Sequence, residues 1–582
     1  MTYFFKIALF AIGLLAGCNM AANAKTKTMQ LRIVETSDVH GSFFPYDFIT
    51  RKPKSGSLAR VSSYIKSLRK SHGDNVLLLE NGDILQGQPT CYYYNYVNTD
   101  SENIASKLMS YLRYDAATVG NHDIETGHAV YDKWAGEVKC PMLGANVIDD
   151  NTGKPYFEPY TIIERQGVKI AVVGMISPAI PNWLANRLWS GMHFEEMVSA
   201  ARRTIENLRK NEKPDIIIGL FHSGKDGGIT TPDYAENASL EVARKVDGFD
   251  VIFFGHDHTR FAETVVSDAG HEVLCLDPAN NAHAVAEARL TLEKRHGKWS
   301  VKEKKGLLVD IDSQPVDEDF MDYFKADIDE INNFVNKKIG EFGATITSQE
   351  CFFGSSAFTD LILNLQLQIT GADISFNAPL SMSATIKRGP VYMSDMFNLY
   401  KYENQLYVMR LKGCEIRKHL EMSYDQWVNT MQTADDHLLL LEESEWNGET
   451  RLRFKNMTFN FDSAAGIEYE VDVTKPDGQK VRILQMSDGT PFDEEKWYKV
   501  AVNSYRGNGG GELLTRGAGI PHDSLESRII YRSEKDQRYY LMKEIERQGT
   551  ITPKANNNWR FVPDSLVRPA AERDMQLLFG KK

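Results

Sequence analysis

No two cysteines in this chain form a Cys-x-x-Cys pair, so no paired-thiol motif is present. Its six, Cys18, Cys91, Cys140, Cys275, Cys351 and Cys414, are far apart. Setting Cys18 aside leaves an odd number, so at least one is unpaired or pairs with another molecule. Most read as small buried side chains; there is room for one disulfide, and the spacing does not choose it. No block of Lys and Arg appears and the net charge is −12, which argues against nonspecific duplex or RNA binding. Beyond the first residues no apolar run is long enough for a transmembrane helix. There is no internal repeat and no low-complexity tract. What remains is ordinary for a globular protein: 42% hydrophobic and 25% charged residues. At 582 residues the chain is too long for one core and predicts two domains or more.

Residues 1–24 read as a targeting segment. Lys6 precedes the apolar run Ile7 to Ala16, too short to span a bilayer. The run ends in Leu15-Ala16-Gly17-Cys18, which resembles a bacterial lipobox with Cys18 as the lipidated mature N-terminus. Secretory cleavage after Ala22-Asn23-Ala24 is the competing reading. Both predict export; the first predicts a periplasmic lipoprotein anchored at Cys18.

From Leu31 to about Gln314 apolar strands alternate with polar turns and helices. Strands are expected at Leu31–Glu35, Asn75–Glu80, Ala116–Val119, Lys169–Met175, Asp215–Phe221 and Val251–Phe254. Helices are expected at Leu58–Arg69 and Phe194–Arg209. This predicts a layered α/β domain over residues 29–315. Phe320, Phe324, Ile328, Ile331 and Val335 recur at helical spacing and predict one connecting helix within residues 316–339. A second domain, 340–562, opens with a helix from Ser356 to Ile369 stopped by Gly371, then a strand Asp373–Phe376. Residues 563–582 read as a peripheral tail.

The chemistry lies just past the strand ends of the first domain, where open α/β sheets place their sites. Asp38 and His40 stand two apart, which on an extended backbone puts both side chains on one face. His256 and His258 repeat that spacing. Asp83 follows a strand and could bridge two ions with its two oxygens. Asn121 offers an amide oxygen, and His222 ends a strand. Carboxylate with imidazole suits hard and borderline divalent ions. Seven such groups leave positions open for water and phosphate, and a metal pair would give an acidic protein the positive centre an anionic substrate needs. His122, next to Asn121, points to substrate in this reading, with Asp123 or Glu125 to orient it. Each motif is common alone. Their order, Asp-x-His, Gly-Asp, Gly-Asn-His, His, Gly-His-x-His, is that of a two-metal phosphoesterase. The remaining histidines lack this context, with His283, in Asn280-Asn281-Ala282-His283, singled out as the exception.

These residues carry a resemblance to the secreted metallophosphatase/5′-nucleotidase family. It implies a calcineurin-like metallophosphoesterase β-sandwich flanked by helices, a connecting helix, and an α/β 5′-nucleotidase-type C-terminal domain. It puts Asp38, His40, Asp83, Asn121, His222, His256 and His258 on metal positions for two divalent ions, among Mn, Zn, Fe, Mg and Co, and His122 on the catalytic histidine. In many members the partner of that histidine is an Asp three residues on; here that position is Glu125. The family clamps a nucleobase between two aromatic rings. Tyr402-Glu403-Asn404 matches one ring and a base-contacting Asn, and Tyr505 with its glycine loop to Gly511 matches the other.

Two departures narrow the resemblance. Typical 5′-nucleotidases have Gly-Gly-Asp, whose Asp holds the ribose; here Gly511 stands in the Asp position. They also have an Asn-Gly-Gly-x-x-Arg segment; here it is Asn377-Ala378-Pro379-Leu380-Ser381-Met382, without Arg. The segments Asn81–Pro89, Asp373–Pro379 and Tyr505-Arg506 look more like the bacterial 2′,3′-cyclic-nucleotide 2′-phosphodiesterase/3′-nucleotidase branch. The expectation is a secreted two-metal nucleotide phosphohydrolase of that branch, releasing nucleosides and phosphate. A 5′-nucleotidase or nucleotide-sugar hydrolase is the alternative, with a non-nucleotide phosphatase or thiosulfohydrolase and a binding protein without chemistry as further rivals. The expected partners are a nucleotide and no nucleic-acid polymer, with the membrane reached only through the N-terminal lipid, and the expected state is a monomer.

Overall fold

The computed structural model describes residues 27–446 and 449–580. The expected targeting segment, with its lipobox-like stretch and Cys18, lies outside them. The N-terminal domain is two six-stranded sheets packed face to face. The first runs Lys298–Asp310, Ala284–Arg295, Lys27–Thr36, Val76–Glu80, Ala116–Thr118, Met142–Leu143. The second runs Arg260–Val266, Glu272–Pro278, Val251–Phe254, Ile216–His222, Val168–Ile176, Tyr160–Arg165.

Strand periodicity explains the layers. Leu31 and Ile33 face the second sheet, while Val34 faces Leu58, Val61 and Ile65 on the helix Leu58–His72. In the second sheet Ile216, Ile218 and Leu220 face inward. Ile217 and Phe221 face Met197, Ala201 and Ile205 of the helix Met197–Asn207. Both faces of the central strands are thus covered, which is why these strands read as unbroken apolar runs. Each such side chain fully removed from water contributes roughly 1.5–3 kcal/mol. The helix expected from Phe194 starts later, because Phe194 ends a short strand and Glu196 caps the helix through the N–H groups of Val198 and Ser199.

The connecting helix is two helices, Glu318–Tyr323 and Lys325–Val335, broken at Phe324. Phe320, Phe324, Ile331 and Val335 are buried in the N-terminal core beside Phe44 and Leu58. In the C-terminal domain a five-stranded sheet runs Ser463–Ala465, Ile374–Asn377, Trp497–Asn503, Gln405–Lys412, Ile529–Asp536. Helix Ala357–Thr370 is capped by Ser356 and ends at Gly371, whose φ of 64° suits glycine. The tail is not peripheral. Helix Asp564–Phe579 buries Val567, Ala570 and Asp574, and Asp574 accepts hydrogen bonds from His437 and the Leu439 N–H. Cys91, Cys140, Cys275, Cys351 and Cys414 are free thiols, so no disulfide forms among the described residues. No helix among them is long and apolar enough to cross a membrane.

Candidate active site

The strands Lys27–Thr36, Val76–Glu80, Ala116–Thr118, Ile216–His222 and Val251–Phe254 deliver their C-terminal ends to one place. All seven expected donors meet there: Asp38, His40 and His258 close on one another, as do Asp38, Asp83 and His222, so the two groups join through both carboxylates. In the first, His258 Nε2 lies 3.2 Å from Asp38 Oδ1 and 3.1 Å from His40 Nε2. Asp83 Oδ2 is 4.0 Å from His40 Nε2 and 3.2 Å from His222 Nε2, which opens the second group. There Asn121 Oδ1 is 3.1 Å from His222 Nε2 and 2.8 Å from His256 Nδ1.

The spacing of two works for a different reason than an extended backbone. Asp38, His40, Asp83, His256 and His258 all have positive φ, between 47° and 81°. Such conformations cost on the order of 1–3 kcal/mol each and persist only where the surroundings dictate them. Here the Asp38 N–H donates to the Gly82 carbonyl and the His40 N–H to the Asp83 carbonyl, both at 3.0 Å. The motif glycines allow this close approach. A Cβ at Gly120 would sit 2.1 Å from Asp83 Oδ1, and one at Gly255 2.4 Å from Asp38 Oδ2. The short Gly-Asp, Gly-Asn-His and Gly-His strings are thus packing requirements of one another.

The electrostatics match a cation site. Burial works against the charge of Asp38 and Asp83, yet the facing imidazoles, His222 first, hold both carboxyls well below the usual range. His222 is buried too, and Asp83 and Asp38 push it up to about 10. Burial lowers His40 to about 4. Asp38 Oδ1 is buried without a hydrogen-bond partner. A carboxylate oxygen left bare beside neutral and charged imidazoles fits a divalent ion, which would replace the positive charge that protons otherwise supply. The rings are also held from behind. His222 Nδ1 donates to the Asn81 carbonyl at 2.7 Å and His40 Nδ1 to the Gln86 carbonyl at 3.3 Å. His256 Nε2 meets Glu236 at 3.1 Å, and His258 Nδ1 meets Asn280 at 2.8 Å. Such partners fix ring orientation and tautomer. Sequence reasoning missed Glu236 and Asn280. It singled out His283 instead, which pairs with Asp312 away from the donors.

His122 stands at the rim, 30% exposed, with Nδ1 2.6 Å from Glu125. Burial opposes its protonation, but Asp83 and Glu125 outweigh it and raise the imidazole to about 9. Asp123 does not share the role expected of it. Its carboxylate accepts the N–H groups of Gly120, Asp83, Ile84 and Leu85 and so ties the Asn121 turn to the Asp83 loop.

A cleft of about 270 Å³ runs from Asn121, His122 and His256 to Tyr402, Asn404 and Tyr505 of the C-terminal domain. The sequence motifs of both domains therefore face one space. Trp183, Leu380, Phe459 and Asn503 also line it. No periodicity or motif marks Trp183 or Phe459, whereas Leu380 lies in the Asn377–Met382 segment and Asn503 two residues before Tyr505. Trp183 lies over His256, ring centres 5.5 Å apart. The two domains touch beside the cleft, where Glu403 accepts from Gln86 at 3.1 Å and from Arg538 at 2.9 Å.

Residues 31–260 match the family model of calcineurin-like phosphoesterases, and residues 334–516 that of the 5′-nucleotidase C-terminal domain. The chain is 27% identical to the 2′,3′-cyclic-nucleotide 2′-phosphodiesterase/3′-nucleotidase of Salmonella typhimurium, over 94% of this chain and 90% of that protein. It is 27% identical to the trifunctional nucleotide phosphoesterase protein YfkN of Bacillus subtilis; there the match covers 94% of this chain and only 40% of that longer protein. The solved structure of a 5′-nucleotidase precursor from Thermus thermophilus shares the fold, with a TM-score of 0.63 at 21% identity over 92% of this chain and 99% of that one.

Proposed function

The chain belongs to the metallophosphatase/5′-nucleotidase family of metal-dependent phosphoester hydrolases, and we propose that it opens 2′,3′-cyclic nucleotides to 3′-monophosphates and then removes the 3′-phosphate. The observation that carries the nucleotide reading is the single cleft joining the donor cluster to Tyr402 and Tyr505. The preference for the 2′,3′ edge of the ribose rests on Gly511. A Cβ there would lie 2.0 Å from Asn460 Oδ1 and 2.5 Å from Arg506 Nη1. The space an Asp would need to hold a ribose deep in the base site is already filled. The ribose is then free to turn its 2′,3′ edge toward the donors.

Two divalent ions would be held by Asp38, His40, His258 and Asp83 on one side, and by Asp83, Asn121, His222 and His256 on the other. When bound, such ions activate water and neutralise phosphate charge. His122 faces the phosphate and serves the leaving oxygen: as water adds to phosphorus and the P–O bond breaks, that oxygen takes a proton from Nε2. Glu125 holds Nδ1 and keeps the ring aimed. Tyr402 and Tyr505 stack on the base, and Asn404 orients its edge. Stacking contributes roughly 1–3 kcal/mol per base, so Tyr402→Ala or Tyr505→Ala should raise the KM for a nucleotide by roughly five- to a hundredfold, with less effect on kcat. Steady-state kinetics checks this; unchanged KM values would point to a non-nucleotide ester.

The experiment for the proposed function is phosphate release from 2′,3′-cyclic AMP, 3′-AMP and AMP at equal concentration with Mn²⁺, the cyclic substrate followed by chromatography. Turnover of the first two with little on AMP supports the reading. Dominant AMP turnover would make the protein a 5′-nucleotidase or nucleotide-sugar hydrolase. The segment Lys6 to Cys18 supports export and lipid attachment at Cys18; an unlipidated mature N-terminus by mass spectrometry would remove the anchor.

A further inference from the structure

Two tyrosines account for the clamp and leave a third ring in the cleft without a task. Phe459 sits in the turn Thr458–Asn460 and lines the same cleft. It meets Tyr505 edge-on, with ring centres 6.0 Å apart and planes at 86°. A short surface turn, with Met457 beside it 65% exposed, does not by itself fix an aromatic ring.

Arg506 supplies the constraint. Its side chain is buried, and every N–H of the guanidinium is used. Nε and one terminal nitrogen reach the Asp462 carboxylate at 2.8 and 3.1 Å. That same nitrogen donates to the Phe459 carbonyl at 2.9 Å, and the other to Asn460 Oδ1 at 3.2 Å and to the Gly510 carbonyl. Asp462, buried as well, also faces His419 at 2.9 Å, and His419 stacks flat on Phe376. A buried ion pair of this kind adds little net stability, but its fork geometry fixes the backbone it touches. Because Arg506 directly follows Tyr505, one guanidinium ties the turn carrying Phe459 to the turn carrying Tyr505. Asn460, on the same turn, is the residue that fills the space beside Gly511.

We propose that Phe459 is a specificity-determining residue: it forms a third, edge-on wall of the base site, set by Arg506 and Asp462, and favours phosphate esters that carry a base over those that do not. The proposal rests on the nucleotide reading above. A ring edge carries no hydrogen-bonding demand, so this wall recognises an aromatic base without choosing among bases.

The test uses the purified full-length protein with Mn²⁺. KM and kcat are measured for the adenine nucleotide turned over fastest and for glycerol 2-phosphate, which has no base, in the parent, Phe459→Ala and Phe459→Tyr. Phe459→Ala should raise the nucleotide KM by roughly two- to tenfold, the range of an edge-to-face contact. Its kcat and its kinetics on glycerol 2-phosphate should stay unchanged, and Phe459→Tyr should behave like the parent. An unchanged nucleotide KM, or an equal loss on both substrates, overturns the proposal and leaves the two-tyrosine clamp standing. If the parent itself handles glycerol 2-phosphate as well as the nucleotide, the nucleotide reading falls and takes the proposal with it.

Discussion

Asp83→Asn is expected to remove both metal ions together and to abolish phosphoester hydrolysis. The side chain faces both donor groups through one oxygen, Oδ2, at 3.2 Å from His222 and 4.0 Å from His40. Its other oxygen accepts the His122 N–H at 2.8 Å. An amide in its place loses the negative charge that both ions would share. It must also turn a donor either toward the imidazoles or toward the His122 N–H. The loss of turnover should exceed the roughly 10²–10⁴ that one acid–base group supplies, since the ions and the placement of His122 are disturbed at once. Metal analysis after gel filtration would show two equivalents in the parent and none in the variant. Loss of a single equivalent would refute the bridging role. Folding gives an independent reading, because a ligand that binds only the native state stabilises it. Added Mn²⁺ should raise the Tm of the parent and leave that of Asp83→Asn where it was. The metal-free variant should melt below the metal-free parent, because Asp83 is held charged by the facing imidazoles and its loss leaves the buried His222 without its carboxylate partner.

Why so much of this site was legible, and where legibility stopped, follows from what each residue must satisfy. Asp83, Asn121 and His222 are bound to strand ends, and the strands announce themselves by apolar runs buried on both faces. The fold class was readable for the same reason. The hairpin Ala284–Arg295 with Lys298–Asp310 escapes a reading built on such runs, because its inward Ala286, Ala288 and Leu290 alternate with Glu287 and Arg289. The pairing of Asp38 with His40, and of His256 with His258, was visible, but its geometry was not. Residues two apart converge here through left-handed turns that distant segments impose, the Gly82–Asp83 backbone on Asp38 and His40 and the Asp38 carboxylate on His256. Asp123 looked like a catalytic neighbour, yet a carboxylate can serve four backbone N–H groups as readily as one imidazole, and sequence adjacency does not decide between them. Glu236, Asn280, Trp183 and Phe459 had no signal at all: they come from loops and single helical turns, where nothing periodic records which side chain the fold will turn inward. The tail failed for a related reason. Residues 563–582 read as peripheral because nothing local records that Asp574 is buried against His437 from far earlier in the chain.

His122→Ala should lower turnover by roughly 10²–10⁴, the usual worth of a positioned acid–base group, with metal content close to that of the parent. The separation of the two readouts follows from the structure. His122 belongs to neither donor group, and its ring is turned to the cleft, with Nδ1 occupied by Glu125 at 2.6 Å. What remains free is Nε2, the nitrogen that can hand a proton to a departing oxygen. The substrate decides between the two tasks open to it. A ribose oxygen leaves poorly without a proton, whereas p-nitrophenolate leaves without one. If His122 protonates the leaving group, His122→Ala should lose far less turnover on p-nitrophenyl phosphate than on a nucleotide. An equal loss on both esters would assign the ring to phosphate charge instead, and an unchanged rate on both would take it out of the reaction. Glu125→Gln should follow the same substrate pattern with a smaller loss. It keeps the length of the side chain and a hydrogen bond to Nδ1, and removes the charge that favours the protonated ring.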